Sequence, residues 1–304
     1  DRGGLLWVGT KTRGLSKWNS RTWAYGYEPG TAITKRPDAK PVVTSFAEDL
    51  EGRLWVGTFG DGVNAIDRDT NDVTHYRHDP DDPQSLGYDY ILALHAARSG
   101  VLWIGTYGGG LDRLDENAPG EATFTHYRHD PEDPASLSDN LVVAIYQDRS
   151  GTLWVGTYGG GLNQLVPGGA EGSSSEMTGK QHAAFVRYLH DPADPHSLSH
   201  DMAVSIFEDR EGLLWVGTGG GGVNKLDLQP KRFALYQHEP GNPNSLSTSD
   251  VRAIHEDRYG DLWVGTQGGG LEVVDDRQLG DTKQGTQVLA VQQPANVGQH
   301  DRDA

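Results

Sequence analysis

Four histidines stand beside carboxylates in four nearly identical stretches: His78 in HDPDDPQSL, His129 in HDPEDPASL, His190 in HDPADPHSL and His238 in HEPGNPNSL. Imidazole next to Asp or Glu is a metal-ligand combination. Three other groups invite a chemical reading. Adjacent carboxylates occur at Glu208-Asp209 and Glu256-Asp257, and carboxylate pairs do the acid/base work of glycoside hydrolysis. Glycine runs such as YGGGL (107–111) offer backbone N–H groups to an anion. Phe59, Tyr107 and Tyr158 follow the same pentapeptide in three places, and aromatic faces stack on sugar rings and apolar groups.

The elements that must position these residues follow from an internal repeat. Leu-Trp-Val-Gly-Thr begins at Leu6, Leu54, Leu153, Leu214 and Leu262, and reads LWIGT at Leu102. The spacings are 48, 48, 51, 61 and 48 residues. The longest interval contains VPGGAEGSSSEMTGKQ (166–181), a Gly/Ser-rich stretch expected to form an enlarged surface loop. Each unit divides into four short strands. From Met202, MAVSIFED is apolar and β-branched, DREG makes a tight turn, and LLWVGT is the second strand. GGGG then turns the chain into VNKLDL and RFALYQ. Four strands in roughly 40–50 residues is the content of a propeller blade. The fold class is therefore all-β, a β-propeller of tandem four-stranded blades. Six blade units are present. First strands are expected to begin near Val43, Ile91, Val142, Ala203 and Val251.

The repeat reinterprets the chemistry. Trp7, Trp55, Trp103, Trp154, Trp215 and Trp263 occupy one position in every blade. A ligand rarely needs one identical contact from each blade, so these tryptophans are expected to fill the space between blades. Histidines in successive identical loops sit a blade-width apart and do not converge on one ion. Pro fixes φ there, Asp and Asn cap turns, and Leu plugs the core. The carboxylates recur at the strand-to-turn position of most blades and suit a turn. The glycine runs lead into strands, so no helix N-terminus is available to an anion. No GxSxG, P-loop, HExxH or cysteine nucleophile is present. The expectation is no catalytic residue, no metal and no cofactor.

Composition narrows the partners. The chain has 304 residues, 26 Lys+Arg against 43 Asp+Glu, a formal net charge of −17 and no Cys. That balance argues against nucleic acid and against an anionic membrane surface, and no apolar run approaches the length of a membrane-spanning helix. The first residues, DRGGLLWVGT, fall in the middle of a repeat, as expected of a segment of a longer protein.

The pattern HDPxDPxSLSxDxVxxIxEDRxGxLWVGTxGGGLxxLD resembles the two-component regulator propeller repeat, from the first residues to about Asp276. The resemblance implies a seven-bladed ring of which these six units are part, and a periplasmic or extracellular sensor region of a membrane-anchored bacterial hybrid histidine kinase or diguanylate cyclase, with an output domain fused beyond it. Dimerisation of the parent protein is left open. DRxGxLW also resembles the Asp-box of sialidase-like propellers, although the Asp-to-Gly spacing differs. Residues 1–276 are assigned to the propeller, whose first blade lacks its innermost strand. Residues 277–304 are a divergent tail, expected to give a last outer strand in TQVLAVQQ (286–293) and then disorder. The ring is expected to be left open, with blade one poorly supported.

If function does not reside in what repeats, it resides in what varies at equivalent positions. The residue after each LWVGT is Lys11, Phe59, Tyr107, Tyr158, Gly219 or Gln267. Blade geometry places these at one mouth of the central channel, near the residues that enter the first strands: Asp89, Asn140, Asp201 and Asp250. Phe59, Tyr107, Tyr158, Gln267, Asn140, Asp201 and Asp250 are the candidate ligand contacts, for a small molecule or an oligosaccharide. The rival readings are a protein-interaction scaffold without a small ligand and a glycan-active propeller enzyme.

Overall fold

The computed structural model describes residues 5–10, 14–19, 24–28, 42–70, 72–118, 121–166, 183–227, 232–275 and 287–290. Among these every regular element is a strand. The chain divides into two compact units, 1–206 and 207–304.

In the first unit β1 (Leu5–Thr10), β2 (Gly14–Asn19) and β3 (Ala24–Glu28) form a three-stranded antiparallel sheet. Three four-stranded antiparallel sheets follow. They are built from β4 (Val43–Glu48), β5 (Leu54–Thr58), β6 (Val63–Ile66) and β7 (Val73–Tyr76); from β8 (Ile91–Ala96), β9 (Leu102–Thr106), β10 (Leu111–Ala118) and β11 (Glu121–Tyr127); and from β12 (Val142–Gln147), β13 (Leu153–Thr157), β14 (Leu162–Val166) and β15 (Ala184–Tyr188). The boundary between the units falls within β16 (Ala203–Glu208), the first strand of a sheet continued by β17 (Leu214–Thr218), β18 (Gly222–Asp227) and β19 (Arg232–Tyr236). The last sheet holds β20 (Val251–Glu256), β21 (Leu262–Thr266), β22 (Gly270–Asp275) and β23 (Gln287–Ala290).

Each sheet is one blade, and among the described residues the first holds three strands. The first strands of blades two to six start at the five residues the sequence indicated. The TQVLAVQQ segment supplies β23, paired to β22. Apart from Val166, the insertion at 166–181 lies outside the described residues, as does the tail from 277 apart from β23.

LWVGT is buried on both faces in β5, β9, β13 and β17. Within the first unit such burial follows from stacking, since the blades of β5 and β9 each have a neighbour on both sides. Trp55 accordingly lies in one cluster with Ile91, Leu102, Ile104 and Phe124 of the following blade. In blades two to five the tryptophan also lies against the last tyrosine of its own blade. The centroids of Trp55–Tyr76, Trp103–Tyr127, Trp154–Tyr188 and Trp215–Tyr236 are 5.6, 5.8, 5.8 and 5.6 Å apart. The tyrosine in turn meets a phenylalanine of the next blade, in Tyr76–Phe124 and Tyr127–Phe185. In β1, at the edge of its sheet, Leu6 and Val8 are exposed.

Glycine in LWVGT permits close approach. A Cβ on Gly156 would stand 2.3 Å from the Ala203 carbonyl oxygen, at the start of the next first strand. The Asp that opens the turn before LWVGT serves the tryptophan. Asp49, Asp148, Asp209 and Asp257 each accept the indole N–H six residues on, at 2.8, 2.9, 2.7 and 3.0 Å. The other carboxylate oxygen takes a backbone N–H that closes the turn. The Trp263 indole N–H, followed by the Asp261 and Tyr259 amides, holds the Asp257 carboxyl below the ordinary range. These carboxylates are turn residues, as their recurrence implied.

Candidate functional site

The other end of the blades carries the HDPxDPxSL loops. Each histidine closes its own loop. Nδ1 of His78, His129, His190 and His238 lies 2.8, 2.8, 2.8 and 2.7 Å from the carbonyls of Leu86, Leu137, Leu198 and Leu246. Only an Nδ1–H satisfies a carbonyl, so that nitrogen is committed to the loop. The four leucines are fully buried. Among the described residues no group of three or more His, Asp or Glu side chains is gathered as a metal ion would require.

The loop ends are fixed by the residue eleven positions after each histidine. Asp89, Asn140 and Asp201 accept the backbone N–H of His78, His129 and His190 at 2.8, 2.7 and 2.7 Å, and the Ser249 hydroxyl does the same for His238. Their backbone carbonyls clasp the preceding blade. Gly60 and Gly62 donate to Asp89, Gly108 and Gly110 to Asn140, Gly161 to Asp201, and Gly220 and Gly222 to Ser249. The glycine runs therefore direct their N–H groups to the next blade. Gly62 has φ of 70°, and a Cβ there would meet the Tyr76 carbonyl oxygen at 2.2 Å. Of the candidate contacts, Asn140 and Asp201 are loop ties that already hold a partner. Asp250 is not their counterpart: the tie of blade six is Ser249, and Asp250 lies one residue later.

With those groups committed, the side chains left at this end are the ones that vary. In the first unit the structure brings Phe59 and Tyr107 together, ring centroids 5.9 Å apart and nearly perpendicular. It adds two residues that the sequence reading did not select. Tyr90 meets Phe59 edge-on at 4.7 Å, and Tyr88 lies 5.3 Å from Tyr90. The backbone explains the grouping. Phe59 bridges to Tyr90 across the blade boundary, and the Tyr107 amide donates to the Tyr90 carbonyl at 2.9 Å. Phe59, Tyr88, Tyr90 and Tyr107 are 43%, 37%, 38% and 50% exposed, so four packed rings present a shared apolar surface. Beside them, under the same hairpin, Arg77 pairs with Asp61 at 2.9 Å. Tyr158 occupies the equivalent position of blade four, also half-exposed, without a ring contact to this group among the described residues.

The signal for Tyr88 and Tyr90 lies in the loop. The positions flanking the tie read Tyr88 and Tyr90, Asp139 and Leu141, His200 and Met202, or Thr248 and Asp250. They vary as much as the residue after LWVGT.

In the second unit Asp250 and Gln267 are brought together by Arg252, also missed by the sequence reading. Its Nη2 donates to Asp250 Oδ2 at 3.0 Å and to Gln267 Oε1. Asp250 Oδ1 is buried and has no partner among the described residues. At the opposite end of this unit a cavity of about 290 Å³ lies among Asp209, Arg210, Trp215, Glu256 and Tyr259. Arg210 crosses it to the Asp257 and Arg258 carbonyls and toward Glu256, which makes it a seam between turns.

The fold and this end of the blades define a β-propeller whose repeated polar groups tie blade to blade. The two-component regulator propeller repeat matches at 136–159, 197–220 and 245–268. Three stretches of the chain thus match the repeat of the two-component regulator propeller family. No curated protein sequence matches it. Among solved structures, PorZ, a surface component of the type-IX secretion system of Porphyromonas gingivalis, is 18% identical with a TM-score of 0.66, covering 89% of this chain and 37% of its own. The extracellular domain of a hybrid two-component system from B. thetaiotaomicron is 22% identical with a TM-score of 0.52, covering 89% and 38%. Virginiamycin B lyase from Staphylococcus aureus is 14% identical with a TM-score of 0.62, covering 97% and 83%. At these identities the likeness is one of fold. The chain spans less than two fifths of the length of the first two.

Proposed function

We propose that this chain is an extracytoplasmic ligand-binding propeller of a bacterial signal-transduction receptor, passing occupancy to a kinase or cyclase output domain elsewhere in the same protein. The observation that carries the reading is the exposed cluster of Phe59, Tyr88, Tyr90 and Tyr107. It stands where the repeat varies, among loops whose repeated polar groups are already paired. Packed aromatic rings with phenolic hydroxyls suit a sugar, which offers apolar C–H faces and hydroxyls together. The family's repeats and the likeness to an extracellular two-component domain support the receptor setting. No catalytic constellation is part of the proposal. The test is titration calorimetry with cello-, xylo-, malto- and mannohexaose. One of these is expected to bind, and Tyr107→Ala is expected to weaken it by about tenfold, the loss of roughly one stacking contact, with an unchanged melting temperature. Binding that is unaffected by Tyr107→Ala, or no binding by any of the four, overturns the assignment of a sugar to this cluster.

A further inference from the structure

The loop that carries Tyr88 and Tyr90 is held from below by a carboxylate and a histidine of blade three. Asp112, on β10, is fully buried. Its Oδ2 accepts the Gly87 N–H at 2.6 Å, and its Oδ1 lies 2.6 Å from His126 Nδ1 on β11. His126 Nε2 lies 3.1 Å from the Pro83 carbonyl oxygen, inside the loop. Both ring nitrogens thus face acceptors, an arrangement only the doubly protonated imidazolium satisfies. Gly87 belongs to the set, because a Cβ there would stand 2.7 Å from both carboxylate oxygens of Asp112.

Blade four performs the same task without a titratable group. At the matching ladder position Asn163 pairs with Arg187, as Asp112 pairs with His126. Asn163 Oδ1 accepts the Ser138 N–H, and its Nδ2 donates to the Ser138 hydroxyl. Arg187 reaches the Ser136 and Asp133 carbonyls. A permanent cation straps that loop, whereas an ionisable one straps the loop of blade three.

We propose that His126 is a positioning residue for the aromatic cluster: as an imidazolium it straps residues 83–87 to the blade and so fixes Tyr88 and Tyr90, and on losing its proton it releases them. That the strap serves ligand binding rests on the sugar reading above, but the strap itself is tested without ligand. The neutral ring keeps one N–H. With that on Asp112, the Nε2 lone pair faces the Pro83 carbonyl and the loop contact is lost. The charges that reach His126 are Asp112 on β10, which favours the imidazolium, and Arg128 just beyond β11, which opposes it. The hydrogen bond to Asp112 outweighs burial and Arg128, so the pKa is raised above its ordinary value. A raised folded value sets the sign: the stabilisation is complete below the ordinary histidine pKa and is lost as pH rises through the folded one.

The measurement is amide hydrogen exchange on the full chain from about pH 6 to about pH 9, spanning the histidine range. Protection at Gly87 and Tyr88 is divided by protection at Ser138 and Asp139. The ratio is expected to fall with rising pH, by at most about tenfold per pH unit for one proton released. His126→Arg, which copies Arg187, is expected to hold the ratio level, and His126→Gln to hold it level at a lower value. A wild-type ratio that does not change with pH, or one that falls equally in His126→Arg, overturns the proposal. Oligosaccharide binding that fails while the ratio still falls counts against the sugar reading alone.

Discussion

Replacing Asp148 by Ala isolates what the turn carboxylate contributes. Asp148 Oδ2 accepts the Trp154 indole N–H at 2.9 Å, Oδ1 accepts the Thr152 N–H at 2.9 Å, and Trp154 is fully buried. The substitution leaves the indole N–H buried without an acceptor, at a cost of about 1–3 kcal/mol. Thr152 N–H is only partly buried and water replaces its partner, so that loss is about 1 kcal/mol. The sum is roughly 2–4 kcal/mol. The turn itself should survive, because blade three makes it with Ala97. There Ala97 N–H bonds to the Val101 carbonyl and Gly100 N–H to the Ala97 carbonyl, as Asp148 and Gly151 do in blade four. The assay is guanidinium unfolding in a double-mutant cycle with Trp154→Phe, which removes the donor. In the Phe background Asp148→Ala should cost only about 1 kcal/mol, leaving a coupling of about 1–3 kcal/mol. Equal costs in the two backgrounds would refute the argument that the carboxylate acts through the tryptophan.

Two further substitutions probe the packing. Trp215→Ala should cost about 3–5 kcal/mol in chemical denaturation, since it empties a buried site lined by Tyr236 and by Lys225, whose ammonium lies 5.1 Å from the ring; wild-type stability would reopen the aromatic-platform reading of the tryptophans. Ser45→Ala should leave stability unchanged or raise it by about 1 kcal/mol, because the Ser45 hydroxyl is buried with no partner among the described residues and the same ladder position holds Ala93, Ala144 and Ala253; a loss of comparable size would reveal a hydrogen bond that the described geometry does not contain.

The fold was legible because it is periodic. A tryptophan at one phase of each repeat, with a Gly-supported turn before it and a glycine run after it, left little freedom in where strands begin. Val43, Ile91, Val142, Ala203 and Val251 were all located from that phase. The site was less legible, for two reasons. Sequence shows that Asn140 and Asp201 are polar residues beside a mouth, but not that each oxygen already accepts the histidine amide of its own loop. That bond is made across eleven residues and exists only once the loop has closed. Asp250 was misaligned for a related reason. It is acidic, like Asp89 and Asp201, whereas the residue at the tie position is the hydroxyl of Ser249. Counting from His238 gives the right residue, and matching side-chain type does not. Phe59 and Tyr107 were selected because they follow LWVGT and LWIGT, but their contact through Tyr90 depends on a bridge between blades that no local pattern encodes.

The departures of blade three from its neighbours are linked by contact. Where blade four has Ser138 and Asn163 bonded to each other, blade three has Gly87 and Asp112. A serine at 87 would force a side chain to within 2.7 Å of the carboxylate, while a glycine opposite Asn163 would leave the amide group without its hydroxyl. The buried carboxylate then needs a cation, because an unpaired charge in the interior is far more costly than a paired one. His126 supplies it at 2.6 Å, from the ladder position that Arg187 occupies in blade four. Tyr88 and Tyr90 come next along the chain, at positions where blade four has Asp139 and Leu141 and Asp139 caps the Leu141 amide. In blade three that local cap is absent as well, so the loop end leans on the Asp112–His126 pair below it. The residues that make this blade's face aromatic and the residues that make its support titratable are thus neighbours in one short segment. For that reason the aromatic surface and the pH sensitivity of its support should be altered together by any change at Gly87 or Asp112.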